Sequence, residues 1–198
     1  MGSHVRKSSL SSSKGFSLIE LLLVLGVVAI LLVAAFVVYP RVRQSQQINQ
    51  EVSNLSTLQA GIRAAFAPTG GVYTALDTMQ STKGRQFVNQ SRIAPASMNG
   101  GDVNSTELKN SWGGDVIIHA TISPYAGNTA GRMFAIRYNN VPAEACVDFV
   151  SRSVAKFDAM WVNGSSGTSY LTPENFSVSQ AVARCNVASP AEVVFMSN

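Results

Sequence analysis

A single carboxylate stands at the edge of the longest apolar run in the chain. Glu20 is preceded by Lys14, Gly15, Phe16, Ser17, Leu18 and Ile19, and the residues after it, 21–39, carry no charge. An ionised side chain at the border of hydrocarbon either sits at headgroup level or faces a partner or a polar cavity, because an unpaired charge is costly there. The only two cysteines, Cys146 and Cys185, lie far downstream. In an oxidising compartment such a pair forms a disulfide, and closing that loop contributes on the order of 4 kcal/mol in the chain-entropy account. Enzymatic chemistry is poorly supplied. Of the two histidines, His4 lies near the start and His119 stands alone, and a lone imidazole is more often a packed or surface residue than a ligand. There is no cysteine pair at zinc spacing, no phosphate loop after a strand and no Gly-x-Ser-x-Gly. Asp102 and Asn104 lack the remaining ligands of a calcium loop. The residues point to no catalysis, no cofactor and no metal.

These groups must be positioned by the elements around them. At about 1.5 Å per residue, the uncharged run reaches roughly 29 Å as a helix, the hydrocarbon thickness of a bilayer. Residues 1–14 are short, polar and serine-rich, with no acid, a composition that builds no packed element and suits a cytoplasmic leader held back by positive charge. They do not make an ordinary secretory signal, since the span is too long for an h-region. The formal charge of +4 invites an anionic partner. Three of the 15 Lys and Arg residues, Arg6, Lys7 and Lys14, precede the span, and the remaining 12 nearly balance the 11 acids. Net charge therefore gives no support to nucleic-acid binding.

After the span, Pro40 lacks an amide donor and weakens a continuing helix, with Gly26 a second weak point. From Ile48 the pattern turns amphipathic: Ile48, Val52, Leu55, Leu58, Ile62 and Phe66 recur at steps of three and four. Gln47, Asn49, Gln50, Glu51, Asn54 and Gln59 form the expected polar face. Pro68, Gly70 and Gly71 end the helix by Ala67. Residues 68–114 read as loop with some helix, including 81–89, and close on Asn110-Ser-Trp-Gly-Gly114, a tight turn with its Trp against the core. Residues 115–122 alternate, with Val116, Ile118 and Ala120 opposite Ile117 and His119. Residues 132–138 alternate likewise, and the two strands are joined by a glycine-rich loop at 123–131. Pro142 starts a helix that sets Ala145 or Cys146, then Phe149, Val150, Val154 and Phe157, on one face. Short apolar runs at 160–162 and 193–196 suit further strands, with a surface loop at 163–169.

Lys14, Gly15, Phe16, Ser17, Leu18, Ile19, Glu20, Leu21 and Leu22, followed by the apolar run, resemble the processing and assembly signature of type IV prepilins and the related type II secretion pseudopilins. The Asn110-Ser-Trp-Gly-Gly114 motif is similar to one preceding the sheet in type IVb-like pilins. The resemblance implies an α+β pilin fold: a long N-terminal helix packed on an antiparallel sheet, with Cys146 bridged to Cys185. It implies a leader at 1–15, a membrane and assembly segment at 16–40, an amphipathic helical part at 41–67 and a globular head at 68–198. A prepilin peptidase and methyltransferase would cut between Gly15 and Phe16 and methylate the Phe16 nitrogen. Glu20 would pair with the amino terminus of a neighbouring subunit. The implied partners are copies of the chain in a helical homopolymer, the inner-membrane assembly platform, the membrane before assembly, and a receptor on a host or bacterial surface. The implied place is the inner membrane and then an extracellular pilus of a Gram-negative bacterium. As alternatives the resemblance admits a type II secretion pseudopilin or a minor pilin with a tip-binding head; the Cys146–Cys185 bridge, the large head and the Trp112-Gly-Gly motif favour the pilin over the pseudopilin.

Overall fold

The computed structural model describes residues 15, 17–78, 80–121, 131–163 and 170–198. The leader at 1–14, Phe16 and most of the loops expected at 123–131 and 163–169 lie outside the described residues.

Helix α1 spans Leu18–Phe66, 49 residues, and is unbroken at Pro40. The Ser17 carbonyl opens it, accepting from the amides of Glu20 (3.0 Å) and Leu21 (3.1 Å). It stops where the sequence demands: Pro68 follows, and Gly70, at φ 69°, takes the left-handed conformation as its amide donates to the Ala67 carbonyl. The chain divides into two units, 1–43 and 44–198. In the first unit the side chains described from Leu18 to Arg43 are exposed.

The second unit is a head built on a four-stranded antiparallel sheet. Its strands are β1 (Val116–Ala120), β2 (Phe134–Val141), β3 (Ala159–Val162) and β4 (Ala191–Ser197), in the order β1-β2-β4-β3. Register places Ile118, Ile136, Phe195 and Met160 in one row, and Val116, Tyr138, Val193 and Val162 in the next. Both rows are buried on the face that shares a core with Ile48, Leu55, Leu58, Ile62 and Phe66 of α1. Among the described residues the head also has four short α-helices: α2 (Lys83–Gln90), α3 (Ala96–Asn99), α4 (Ala143–Ser153) and α5 (Val178–Cys185). Helix α2 lies directly on β1. A methyl group on Gly84 would stand 1.9 Å from the Ile118 carbonyl oxygen, so only glycine allows that approach.

Most of the predicted elements are present, with three differences. The polar face predicted for α1 is not uniformly solvated: Glu51, Asn54 and Gln59 are buried, because residues distant in sequence supply their hydrogen bonds. Strand β2 runs past Tyr138 to Val141 through an irregularity in its pairing with β4, at which Asn140 takes φ 60°. Helix α5 is absent from the sequence-based expectation, although Val178, Ala181, Val182 and Cys185 recur at steps of three and four; its start is set by Ser177, whose hydroxyl accepts from the Gln180 amide at 3.3 Å.

Candidate functional site

The first candidate site is the segment leading into α1. Gly15 is exposed, and a Cβ added to it would meet nothing within 4 Å. Packing among the described residues does not account for glycine there. Glu20 lies in the first turn of α1, where a carboxylate complements the positive end of the helix. Its side chain is exposed and makes no ion pair with the described residues. From there the helix presents apolar side chains on every side, Leu18 being 76% exposed and Phe36 77%. It is long and apolar enough to cross a membrane, and no part of its most apolar window is buried. An apolar surface of this extent is far larger than the patches that soluble monomers expose.

The second feature is the way the head grips its own stretch of α1. Glu51 is 1% exposed. Its Oε1 accepts from the Ser111 amide at 2.9 Å, from the Ser111 hydroxyl, and from Asn54 Nδ2 at 3.3 Å. Ser111 belongs to a turn organised by Asn110, whose Oδ1 accepts from the amides of Trp112 and Gly114, each at 3.0 Å. Asn110 Nδ2 donates to the Asn139 carbonyl at 2.7 Å, tying the turn to β2. Gly114 is obligatory here, since a Cβ would stand 1.9 Å from that same Asn139 oxygen. Trp112 packs edge-on against Phe149 of α4, with ring centroids 5.5 Å apart, the core role expected of it. Further along, Gln59 Nε2 donates to the Lys156 carbonyl at 2.7 Å and to Ser197 Oγ at 2.9 Å. Helix α1 is thus fastened to the turn before the sheet, to the segment after α4 and to β4.

The second oxygen of Glu51 and the hydroxyl of Tyr138 are both buried, and neither has a partner elsewhere among the described residues. Burial first, and then the nearby Glu51 carboxylate, push the Tyr138 hydroxyl well above its ordinary pKa. Sequence spacing could not reveal this pair, because Glu51 reads there as one more residue of a polar face.

Cys146 of α4 and Cys185 of α5 form a disulfide with Cα atoms 5.9 Å apart, and both are fully buried. The bridge joins the two helices that flank β3 in sequence. His119 lies on the other face of the sheet, its Nδ1 3.0 Å from the Ala120 carbonyl oxygen. Burial lowers its pKa and the Arg137 charge adds to that. Among the described residues no group of three or more His, Cys, Asp or Glu could hold a metal ion.

The family model described as PilS N terminal matches residues 45–198, and that of the prokaryotic N-terminal methylation motif matches residues 10–36. No curated protein sequence matches the chain. Among solved structures it is similar to the type IVb pilin from Salmonella typhi, with 24% identity and a TM-score of 0.52 over 76% of this chain and 99% of that one. It is likewise similar to TcpA, a type IV pilin from Vibrio cholerae El Tor biotype, with 19% identity and a TM-score of 0.55 over 77% and 99%. At those identities the two structures speak to fold, and the family match covers the whole head together with its stretch of α1. The long helix, the four-stranded antiparallel sheet, the cystine and the methylation motif agree with that match, and the chain belongs to the PilS family of type IV pilins.

Proposed function

We propose that this pilin is the structural subunit of a type IVb-like pilus. The chain is cut between Gly15 and Phe16 by a prepilin peptidase, which also methylates the Phe16 nitrogen. It waits in the membrane on residues 16–40 and polymerises through that helix into an extracellular filament. The observation that carries the reading is a lone carboxylate, Glu20, heading a helix whose apolar side chains are exposed all round. Such a helix needs lipid before assembly and the helices of other copies after it. In the filament Glu20 meets the amino terminus of a neighbouring Phe16. An unpartnered charge in that setting is strongly destabilising, so the pair enforces axial register more than it adds net affinity. Gly15 supports the processing site, because packing among the described residues does not account for glycine at that position. The head faces outward and carries whatever adhesion, aggregation or DNA-transfer role the pilus has.

The test is mass spectrometry of surface material sheared from the native host. An abundant chain beginning at methylated Phe16, oxidised at Cys146 and Cys185, is the expected result. The same terminus confined to the cell envelope at low copy would make the chain a minor pilin or pseudopilin. An uncut chain in the filament would overturn the processing site.

A further inference from the structure

Five asparagines stand in Asn-X-Ser/Thr triplets: Asn54, Asn89, Asn104, Asn163 and Asn175. This triplet is the acceptor pattern for N-linked glycans in exported proteins. Of several such triplets, the best placed acceptor is the one whose carboxamide nitrogen is uncommitted and whose asparagine is exposed. Four of the five fail on the first count. Asn54 is buried, donating to Glu51 Oε1 at 3.3 Å and accepting from the Ser97 hydroxyl at 3.3 Å. Asn89 is fully buried, and its Nδ2 donates to the Ser105 carbonyl at 2.6 Å. Asn163 donates to the carbonyls of Arg184 (3.0 Å) and Ala188 (3.1 Å), while its Oδ1 accepts from the Glu192 amide at 2.7 Å. Asn175 donates to the Tyr170 carbonyl at 3.1 Å and accepts from the Thr172 amide at 2.7 Å.

Asn104 is different. It is exposed at the tip of the loop between α3 and β1, and its carboxamide makes no hydrogen bond with the described residues. The backbone presents it: the Asn104 amide donates to Asp102 Oδ1 at 2.9 Å, and the Ser105 amide donates to the Asp102 carbonyl at 3.2 Å. These bonds close a tight turn with Asn104 near its apex. Within the triplet the Ser105 hydroxyl is occupied, donating to the Glu107 carbonyl (3.1 Å) and accepting from the Glu107 amide (3.0 Å). Thr106, the residue a transferase reads, is exposed with its hydroxyl unengaged by the described residues. Residues 100–104 are all exposed, so the approach is open.

We propose that Asn104 is an N-glycosylation site, modified on the exported side of the membrane by an oligosaccharyltransferase that uses a polyprenyl-diphosphate-linked sugar. In the transfer, Asn104 Nδ2 forms a bond to the anomeric carbon of the sugar. The bond between that carbon and the diphosphate oxygen breaks, the lipid diphosphate leaves with the electron pair, and the amide proton passes to a carboxylate of the transferase. The proposal rests on the exported placement of the head. That placement makes the glycan a cap on an exposed loop tip, outside the core.

The experiment is peptide mass spectrometry of the full chain from its native host, comparing wild type with Asn104→Gln, Thr106→Ala and Asn175→Gln. The expected result is a saccharide mass on the peptide containing Asn104, lost in Asn104→Gln and in Thr106→Ala and kept in Asn175→Gln. A bare Asn104 in wild type overturns the proposal, as does a sugar that persists on Ser105 or Thr106 in Asn104→Gln. The same digest reports the Phe16 terminus and the oxidation of Cys146 and Cys185. A processed, oxidised chain with bare Asn104 therefore sinks this site alone, and an unprocessed chain sinks the pilus reading.

Discussion

The backbone amide of Ser111 donates to Oε1 of Glu51 at 2.9 Å, and the Ser111 hydroxyl donates to the same oxygen. A helix residue and a turn residue some 60 positions apart are therefore joined by a carboxylate that is almost wholly buried. Hydrogen bonds to a charged acceptor are stronger than neutral ones, and here they replace the water that Glu51 has lost.

Glu51→Ala leaves the Ser111 amide without its acceptor. The head should lose about 2 kcal/mol, whereas Ser111→Ala, which keeps the amide bond, should lose about 1 kcal/mol. Urea unfolding of the detergent-solubilised chain, followed by tryptophan fluorescence, measures both. Equal stability of Glu51→Ala and wild type would show that the carboxylate does not fasten the turn.

Tyr138 supplies a pH dependence. Its hydroxyl is held well above the ordinary value of 10.0, chiefly by burial. Below that value both folded and unfolded chains keep the proton and this group adds no slope. Above it the unfolded chain releases the proton first, so stability falls as pH rises toward the folded value, by up to about 1.4 kcal/mol per unit. Tyr138→Phe removes a buried hydroxyl whose polar neighbour is the Glu51 carboxylate. It should change stability by less than about 1 kcal/mol at pH 7 and should flatten the decline above pH 10. An identical alkaline slope in both proteins would assign that slope to other groups.

Glu20→Ala should leave cleavage at Gly15 intact and abolish filaments. Gel mobility of the processed chain and electron microscopy of the cell surface read the two effects separately. Normal piliation in this variant would remove the register role from Glu20.

Breaking the bridge with Cys146→Ser should cost about 4 kcal/mol by loop entropy. Much of the stability of a single domain, typically about 5–15 kcal/mol, would go with it. The thermal midpoint of the variant, set against that of the oxidised wild type, tests this; an unchanged midpoint would mean that packing of α4 on α5 suffices.

Where the sequence was informative, the signal was local. The Gly15–Phe16 junction, Glu20 and the uncharged run lie within a few turns of one another. The steps of three and four in α1 likewise locate Leu55, Leu58 and Ile62 in the core without help from the rest of the chain. Glu51 misled because its burial is compensated by Ser111, and nothing near Glu51 in sequence announces that partner. Helix α5 was hidden for a related reason. Its apolar Val178 and Val182 point outward, 59% and 41% exposed, while the side facing the core is Ala181 and Cys185. Its apolar residues do recur at steps of three and four, but the helix is only eight residues long, and it is held by the cystine to α4. The Tyr138 environment was equally invisible, since alternation along β2 gives its face and says nothing of the carboxylate opposite.

The strand order also fixes a timetable. Strand β4, latest of the four in sequence, is the one inserted between β2 and β3. Until residues 191–197 are delivered, β3 lacks its strand neighbour, and the earlier residues can make no more of the sheet than a ribbon of β1 and β2, which is marginal alone. Closure of the sheet therefore requires residues 191–197 and rests on contacts between distant parts of the chain, a topology that favours slow folding. A pause before residue 191 leaves the edge of β2 open, the kind of edge on which crowded neighbouring copies would mispair.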